Sequence, residues 1–132
     1  MIIEKKYHFY AAHRNKKADE KCGRIHGHTY YLTAKFEFDK QDDSGICLLF
    51  SRFDDAISPI IKKHDHHFFL AEDDPLVPIL KDAGEPFVSF PFETSLENLA
   101  KYFWGEIRAT SLPIVELTLQ ETTTSKVIYD GK

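Results

Sequence analysis

Cysteine, glycine and proline are all scarce in this sequence, and long apolar runs are absent. The chain of 132 residues has 2 Cys, 6 Gly and 6 Pro. Two cysteines are too few for a disulfide scaffold, and so little glycine and proline excludes collagen-like and low-complexity chains. No apolar run approaches the roughly 18 residues of a membrane span, and residues 1–4 do not open a signal peptide. We therefore expect a soluble cytoplasmic domain with reduced thiols and no membrane partner.

An excess of positive charge is also absent. The formal net charge is -4, whereas proteins that bind phosphate backbones need clustered positive charge. We therefore expect no nucleic-acid partner, although a locally basic pocket could still take a small anion. The length fits one core, and the 42% apolar composition supplies it. Residues 1–132 are accordingly predicted to form a single domain.

Hydrophobic periodicity predicts an α+β fold in which strands flank two helices. The predicted strands are residues 3–13, 25–38, 113–123 and 125–130, with a further short strand at 87–90. An amphipathic helix is predicted from Phe50, with a kink or a restart at Pro59 because proline removes a helical donor. A second helix is predicted to begin at Thr94, which forms a capping box with Glu97. Residues 64–86 are predicted to be irregular, so the order β-β-α-α-β-β predicts an antiparallel sheet with helices packed on one face.

Four polar residues lie on the apolar faces of predicted strands: His13, His26, His28 and Glu121. A polar group that points into a core needs a partner, because unpaired burial costs roughly 1–3 kcal/mol. Three imidazoles with one open position are typical of catalytic zinc, whereas structural zinc sites are usually closed by four protein ligands. His26 and His28 share one strand face about 6.6 Å apart along the chain, and suitable rotamers can close that distance on one ion. A His-x-His pair alone is a weak signal, and His13 from a neighbouring strand strengthens it.

Cys22 and the histidine-rich run at residues 64–67 are further candidates for function. Cys22 lies in a predicted loop that also carries Lys21 and Arg24. A dication and cationic side chains near a thiol favour its thiolate, which suits proton abstraction or nucleophilic attack, and the alternative is an ordinary exposed cysteine. Residues 64–67 fit a solvated helix end, an acid–base pair or a separate metal site. Without further information the solvated end is favoured, because histidines complement the dipole at a helix C-terminus.

Five motifs occur along the chain in a fixed order. They are Phe9-Tyr10-Ala11-Ala12-His13, Cys22-Gly23-Arg24-Ile25-His26-Gly27-His28-Thr29-Tyr30, Asp65-His66, Glu97-Asn98-Leu99-Ala100 and Glu121-Thr122. Together they resemble the 6-pyruvoyl-tetrahydropterin synthase / 6-carboxy-tetrahydropterin synthase family. The Cys-x-x-x-His-Gly-His element with an upstream Ala-Ala-His is specific, whereas Asp-His and Glu-Asn alone are not. The resemblance spans nearly the whole chain.

The resemblance implies a tunnelling fold (T-fold), in which sheets from several subunits join into an oligomeric barrel. It further implies a homohexamer built as a dimer of trimers, and a reduced pterin, 7,8-dihydroneopterin triphosphate, as the substrate. Each implied role falls on a residue that matches a family motif. The matched residues are His13, His26 and His28 for Zn²⁺, Cys22, Asp65 and His66 for the catalytic triad, and Glu121 for anchoring the pterin ring.

Two reactions and one non-catalytic role are compatible with the resemblance. The first, which the compact chain favours, forms 6-carboxy-5,6,7,8-tetrahydropterin on the route to queuosine and related deazapurines. The second is the 6-pyruvoyl-tetrahydropterin synthase reaction, which eliminates triphosphate and keeps the three-carbon side chain. The third is a homologue that binds pterin or metal without turnover. Two departures from the family pattern bear on the choice of substrate: Leu49 replaces a usual aspartate, and Thr94-Ser95 replaces a usual Pro-Thr.

Overall fold

The computed structural model describes residues 1–132, which form six strands and three helices. In chain order these are β1 (Ile2–His13), β2 (His26–Glu37), α1 (Phe50–His64), β3 (His67–Ala71), α2 (Leu76–Ala83), β4 (Phe87–Phe90), α3 (Leu96–Arg108), β5 (Ile114–Gln120) and β6 (Lys126–Tyr129). All five predicted strands are present. None of the helices combines the length and the hydropathy that a membrane span needs.

The six strands form one mixed sheet in the order β4-β3-β1-β2-β5-β6. The β1–β2, β2–β5 and β5–β6 pairs are antiparallel, whereas β1–β3 and β3–β4 are parallel. The prediction of a wholly antiparallel sheet is therefore wrong, and so is the irregular structure predicted for residues 64–86, which contain β3 and α2. Strand β3 shows no alternation, because its last three residues are all buried. Parallel neighbours need crossover connections, and the segments with α1 and α2 supply them.

Helices α1 and α3 pack on the sheet and contact each other, and both contribute to its one core, as predicted for helices on one face. The alternation predicted for β1 and β2 is confirmed, because Phe9 and Tyr30 are fully buried whereas Tyr10 and Tyr31 are about half exposed. The rings of Phe9 and Tyr30 stack with centroids 5.1 Å apart, and Phe9 also contacts Phe103 of α3. This packing fixes the part of the sheet that carries the candidate histidines.

Helix α1 begins at Phe50, as predicted, but it runs through Pro59 to His64 without a restart. A proline inside a helix costs about 3 kcal/mol. Phe53 and Ile57 are fully buried on the core side of the helix. Burying each such side chain contributes roughly 1.5–3 kcal/mol, so packing offsets the cost of the proline.

Helix α3 begins at Leu96, and its N-cap is Ser95 rather than Thr94. The Ser95 hydroxyl accepts a hydrogen bond from the backbone N–H of Asn98 at 3.2 Å. The capping box predicted for Thr94 and Glu97 is therefore wrong. Because the cap falls one residue later, the fully buried Thr94 side chain is free to make other contacts.

Candidate metal centre and active site

Strands β1 and β2 bring His13, His26 and His28 into one cluster. In the antiparallel register His13 lies opposite His26 and Ala11 lies opposite His28, so all three imidazoles project from the same face. The ring centroids are 4.5 Å apart for His13 and His26, and 4.9 Å apart for His26 and His28. One ring nitrogen of each histidine lies within 4.8 Å of the others. This spacing allows all three nitrogens to bind one ion.

Gly27 lets the two strands approach between the histidines. A Cβ atom at this position would lie 3.1 Å from the carbonyl oxygen of Ala11 and 3.6 Å from the Cα of Ala12. The nearest contact would be with strand backbone, which cannot move aside as a flexible side chain would. A larger residue would therefore push β1 away from β2 at the cluster.

Backbone carbonyls orient two of the three imidazoles. The Nδ1 atom of His13 lies 3.0 Å from the Thr94 carbonyl oxygen, and that of His26 lies 2.7 Å from the Arg24 carbonyl oxygen. A carbonyl oxygen only accepts hydrogen bonds, so Nδ1 carries the proton in both rings and Nε2 carries a lone pair. Such outer partners are what hold metal-ligating histidines in the correct tautomer and orientation.

The Nε2 atom of His13 is buried and has no hydrogen-bond partner. An unpaired buried acceptor is costly, and a divalent cation among three imidazole nitrogens would satisfy it. Burial, together with the nearby His26, lowers the pKa of His13 to about 4. His13 is therefore neutral at physiological pH, which is the state that ligates metal. The donor set and its protonation thus fit a zinc ion.

Tyr30 carries a second buried polar atom without a partner. Its hydroxyl oxygen makes no hydrogen bond, and its ring is fully buried among the aromatic residues of the core. Burial raises the pKa of Tyr30 far above its ordinary value, with a smaller contribution from the charge of Glu121. The hydroxyl therefore stays protonated, and the ring of Tyr30 lies beside the cluster, with its centroid 5.5 Å from that of His28.

Replacing Tyr30 with phenylalanine is expected to raise the free energy of unfolding of the metal-free protein by about 1 kcal/mol. The change removes an unpaired buried hydroxyl, whose burial costs roughly 1–3 kcal/mol. Urea unfolding followed by circular dichroism measures the effect. Tyr7→Phe is the matched control, because the Tyr7 hydroxyl donates to Asp54 at 2.9 Å and its loss should lower stability. A loss of stability in Tyr30→Phe would show that the Tyr30 hydroxyl has a partner.

Cys22 lies beside the histidine cluster, as its proposed role requires. Cys22 lines a cavity of about 270 Å³ together with His13, His26, Glu97 and Glu121. Glu121 also lies near His28, and its Oε2 atom is 3.6 Å from Nε2 of that histidine. The cavity therefore combines a thiol, two carboxylates and imidazoles at its wall.

A carboxylate lies beside Cys22 in addition to the cations of its loop. Asp19 accepts a hydrogen bond from the backbone N–H of Cys22 at 2.8 Å. The Asp19 carboxylate raises the pKa of Cys22, so it acts against the predicted thiolate in the metal-free chain. Of the cations in this loop, Arg24 is engaged elsewhere, because it pairs with Glu20 at 2.7 Å.

An Asp19→Asn variant tests this environment. Asparagine keeps an oxygen that can accept from the backbone N–H of Cys22 but removes the negative charge, so the pKa of the thiol should fall. The pH profile of Cys22 alkylation by iodoacetamide, followed by peptide mass spectrometry, is then expected to shift to lower pH. Asp73→Asn is the control, since Asp73 is exposed and pairs with Lys17. An unchanged profile in Asp19→Asn would exclude Asp19 as the cause.

Asp65 and His66 form a pair at the junction between α1 and β3. The Nδ1 atom of His66 lies 2.9 Å from an Asp65 carboxylate oxygen. Asp65 also accepts a hydrogen bond from the backbone N–H of Tyr10 at 2.9 Å, and this bond keeps the pKa of Asp65 below its ordinary value. The prediction of a solvated helix end is wrong for His64, because this side chain is fully buried and its Nε2 atom lies 3.1 Å from the Tyr102 hydroxyl. The acid–base pair is the alternative that the geometry supports.

One chain does not bring its three triad candidates into one cavity. His66 lines a cavity of about 560 Å³ with Tyr10, Gly27 and His28, and this cavity is separate from the one that Cys22 lines. His28 contributes to the larger cavity, whereas His13 and His26 contribute to the smaller. The histidine cluster therefore lies between the two cavities.

Glu97 and Thr94, for which only a capping role was predicted, also contact the candidate site. Glu97 lines the same cavity as Cys22, and the Thr94 carbonyl orients His13. For Glu97 a signal was present, since it belongs to the Glu-Asn motif. For Thr94 the only signal was its departure from the family pattern.

Comparisons with known proteins identify the family that the chain resembles. The family model described as 6-pyruvoyl tetrahydropterin synthase matches residues 2–132. The chain is 28% identical over 155 residues to the 6-carboxy-5,6,7,8-tetrahydropterin synthase of Aquifex aeolicus, with 96% of each chain covered. It is also 28% identical over 137 residues to the protein of the same name from Haemophilus influenzae, again with 96% of each covered.

Solved structures share the fold. The 6-pyruvoyl tetrahydropterin synthase of Caenorhabditis elegans superposes with a TM-score of 0.75 at 22% identity, covering 100% of this chain and 96% of that one. An uncharacterized protein of Wolinella succinogenes superposes with a TM-score of 0.84 at 18% identity, covering 100% and 98%. The mixed sheet with its three helices is therefore the T-fold of these proteins.

Proposed function

The chain belongs to the 6-pyruvoyl tetrahydropterin synthase family, whose members are enzymes that act on pterins, and we propose that it is a zinc-dependent lyase. The proposed reaction converts 7,8-dihydroneopterin triphosphate to 6-carboxy-5,6,7,8-tetrahydropterin. The observation that carries the proposal is the three-histidine cluster, with its unpaired buried Nε2 atom, beside the Cys22 cavity. The names of both full-length relatives support this choice of product.

The roles of the side chains follow from their chemistry. A divalent cation held by the three histidines would supply a Lewis acid and a positive charge that opposes the effect of Asp19 on the thiol. Cys22 would then remove a proton from the substrate as a thiolate, and His66, oriented by Asp65, would transfer protons at a second position. The carboxylate of Glu121 would accept two hydrogen bonds from the pterin and so fix its orientation.

A second copy of the chain would complete this triad. Cys22 and His66 line separate cavities of one chain, so we propose that Asp65 and His66 of one subunit act beside Cys22 of another. Strands β4 and β6 are the two edges of the sheet and could pair across subunits into a barrel, in a dimer of trimers. Light scattering at assay concentration measures the assembly, and a monomer with full turnover would contradict it.

The decisive experiment incubates zinc-loaded protein with 7,8-dihydroneopterin triphosphate and measures product mass. Formation of 6-carboxy-5,6,7,8-tetrahydropterin with release of acetaldehyde and triphosphate supports the proposal. A product that keeps all three side-chain carbons would assign the 6-pyruvoyl-tetrahydropterin synthase reaction instead. Binding of zinc and pterin without turnover, unchanged in Cys22→Ala, would make the chain a non-catalytic homologue.

Glu121→Ala is expected to weaken pterin binding without removing zinc. Hydrogen bonds to a charged group contribute about 1.5–3 kcal/mol, which corresponds to roughly a 10- to 150-fold loss of affinity. Fluorescence titration with a reduced pterin measures affinity, and elemental analysis measures zinc. Glu116→Ala is the control, because Glu116 of β5 pairs with Lys35 of β2 at 2.7 Å and does not line the cavity that Cys22 lines. Unchanged pterin affinity in Glu121→Ala would exclude Glu121 as the residue that anchors the pterin.

A further inference from the structure

The Thr94 side chain lies in a fully buried position next to the histidine cluster, immediately before α3. Its Oγ1 atom is 3.2 Å from Nδ1 of His13, 3.2 Å from Oδ1 of Asn15 and 3.4 Å from the carbonyl oxygen of Arg14. The hydroxyl therefore has two possible acceptors and one possible donor within hydrogen-bonding distance.

Counting protons gives the direction of these hydrogen bonds. The Nδ1–H of His13 donates to the Thr94 carbonyl at 3.0 Å and also points toward the hydroxyl oxygen. The hydroxyl has a single proton, and the Asn15 side-chain oxygen is the nearer of its two acceptors. The result is a chain of hydrogen bonds from His13 through Thr94 to Asn15.

Asn15 in turn holds the loop that carries Cys22. Its backbone N–H donates to the carbonyl oxygen of Cys22 at 2.8 Å, and its own carbonyl accepts from the backbone N–H of Ala18 at 3.0 Å. Asn15 also lines the cavity that Cys22 lines. One hydroxyl group therefore connects a candidate metal ligand to the segment that positions the candidate catalytic thiol.

We propose that Thr94 is a positioning residue that sets the orientation of His13 and the position of the Cys22 loop together. The inference rests on the proposed function for the identity of the metal and for the role of the thiol. The hydrogen-bonded connection between Thr94 and the Cys22 loop does not depend on the metal, so its effect can be measured in the metal-free protein.

The test compares Thr94→Val, which has nearly the same shape but no hydroxyl, with Thr94→Ser, which keeps the hydroxyl. Loss of an outer partner typically weakens metal binding 10- to 100-fold. The carbonyl bond to His13 remains in Thr94→Val, so we expect about a tenfold loss of Zn²⁺ affinity, at the lower end of that range. Competition with a chromophoric chelator measures it, and Thr94→Ser should restore the affinity.

A second readout uses the metal-free protein. Iodoacetamide alkylation of Cys22, resolved from Cys47 by peptide mass spectrometry, should change in rate in Thr94→Val and return to the original rate in Thr94→Ser. Asn15→Ala removes the acceptor without touching the core and should reproduce the change in alkylation if Thr94→Val folds poorly. Thr110→Val is the matched control, because it also loses a hydroxyl hydrogen bond, to Ile107 at 2.6 Å, but lies outside the site.

Different results would contradict the positioning role of Thr94 and the proposed zinc-dependent function. Zinc affinity and alkylation rates in Thr94→Val equal to those of Thr110→Val would overturn the positioning role. If the unmodified protein binds no zinc, the proposed function fails, and the alkylation rates of Thr94→Val and Asn15→Ala still decide whether Thr94 holds the loop. Changes in both readouts that Thr94→Ser reverses would establish it.

Discussion

A His28→Ala variant is expected to lose its bound zinc and its turnover while keeping its fold. Removing an outer partner of a metal site already costs 10- to 100-fold in affinity, so removing one of three ligands should cost more than about 100-fold. His28 is a better choice than His13, whose buried ring is held by Thr94 and whose loss would also disturb packing. The side chain of His28 is partly exposed, and its Nε2 atom lies 3.6 Å from a carboxylate oxygen of Glu121.

Elemental analysis after dialysis measures bound zinc, and circular dichroism with thermal unfolding checks the fold. His8→Ala is the matched control, because His8 is an exposed histidine on β1 outside the cluster. It should retain one zinc per chain and full turnover. Stoichiometric zinc in His28→Ala would remove His28 from the ligand set, whereas loss of zinc in His8→Ala as well would point to a site elsewhere.

Replacing Cys22 with alanine is expected to lower kcat by 10²- to 10⁴-fold, the range typical of a general base. Zinc content and pterin affinity should stay within about twofold of the original values, since a group that acts in the chemical step contributes little to ground-state binding. The fold should be unaffected because Cys22 is exposed.

Cys47→Ala is the matched control for that variant. Cys47 is the other free thiol, and it lies outside the cavity that Cys22 lines. Single-turnover kinetics with zinc-loaded protein separate the chemical step from product release. Equal single-turnover rates in Cys22→Ala and Cys47→Ala would exclude the thiol as the base and favour a role for Glu97 or Glu121 instead.

Strand alternation is the physical reason why so much of the site could be predicted. A period of two residues fixes the face on which a side chain lies, so His13, His26 and His28 had to share one face once their strands paired. Strand β3 could not be predicted in the same way, because a short apolar run has no period. The same alternation places Glu121 on the face of the cluster, although Glu121 is one residue beyond the end of β5 at Gln120.

The sequence alone could not show which of several neighbouring residues makes a given local contact. Thr94 and Ser95 can both cap a helix, and only the packing of α3 shows that Ser95 does so. The loop around Cys22 carries both cations and carboxylates. Which of them faces the thiol depends on loop geometry, and Asp19 does so because the backbone N–H of Cys22 binds its carboxylate.

The His13–Thr94 bond also has a consequence for the order in which the site assembles. The three histidines belong to one β1–β2 hairpin near the start of the chain, whereas Thr94 comes from 81 residues further on. During synthesis, all three histidines are therefore incorporated long before Thr94, the residue that orients His13. If the chain binds zinc as proposed, we expect its full affinity only after α3 docks, so the metal would stabilise the completed fold more than an early hairpin.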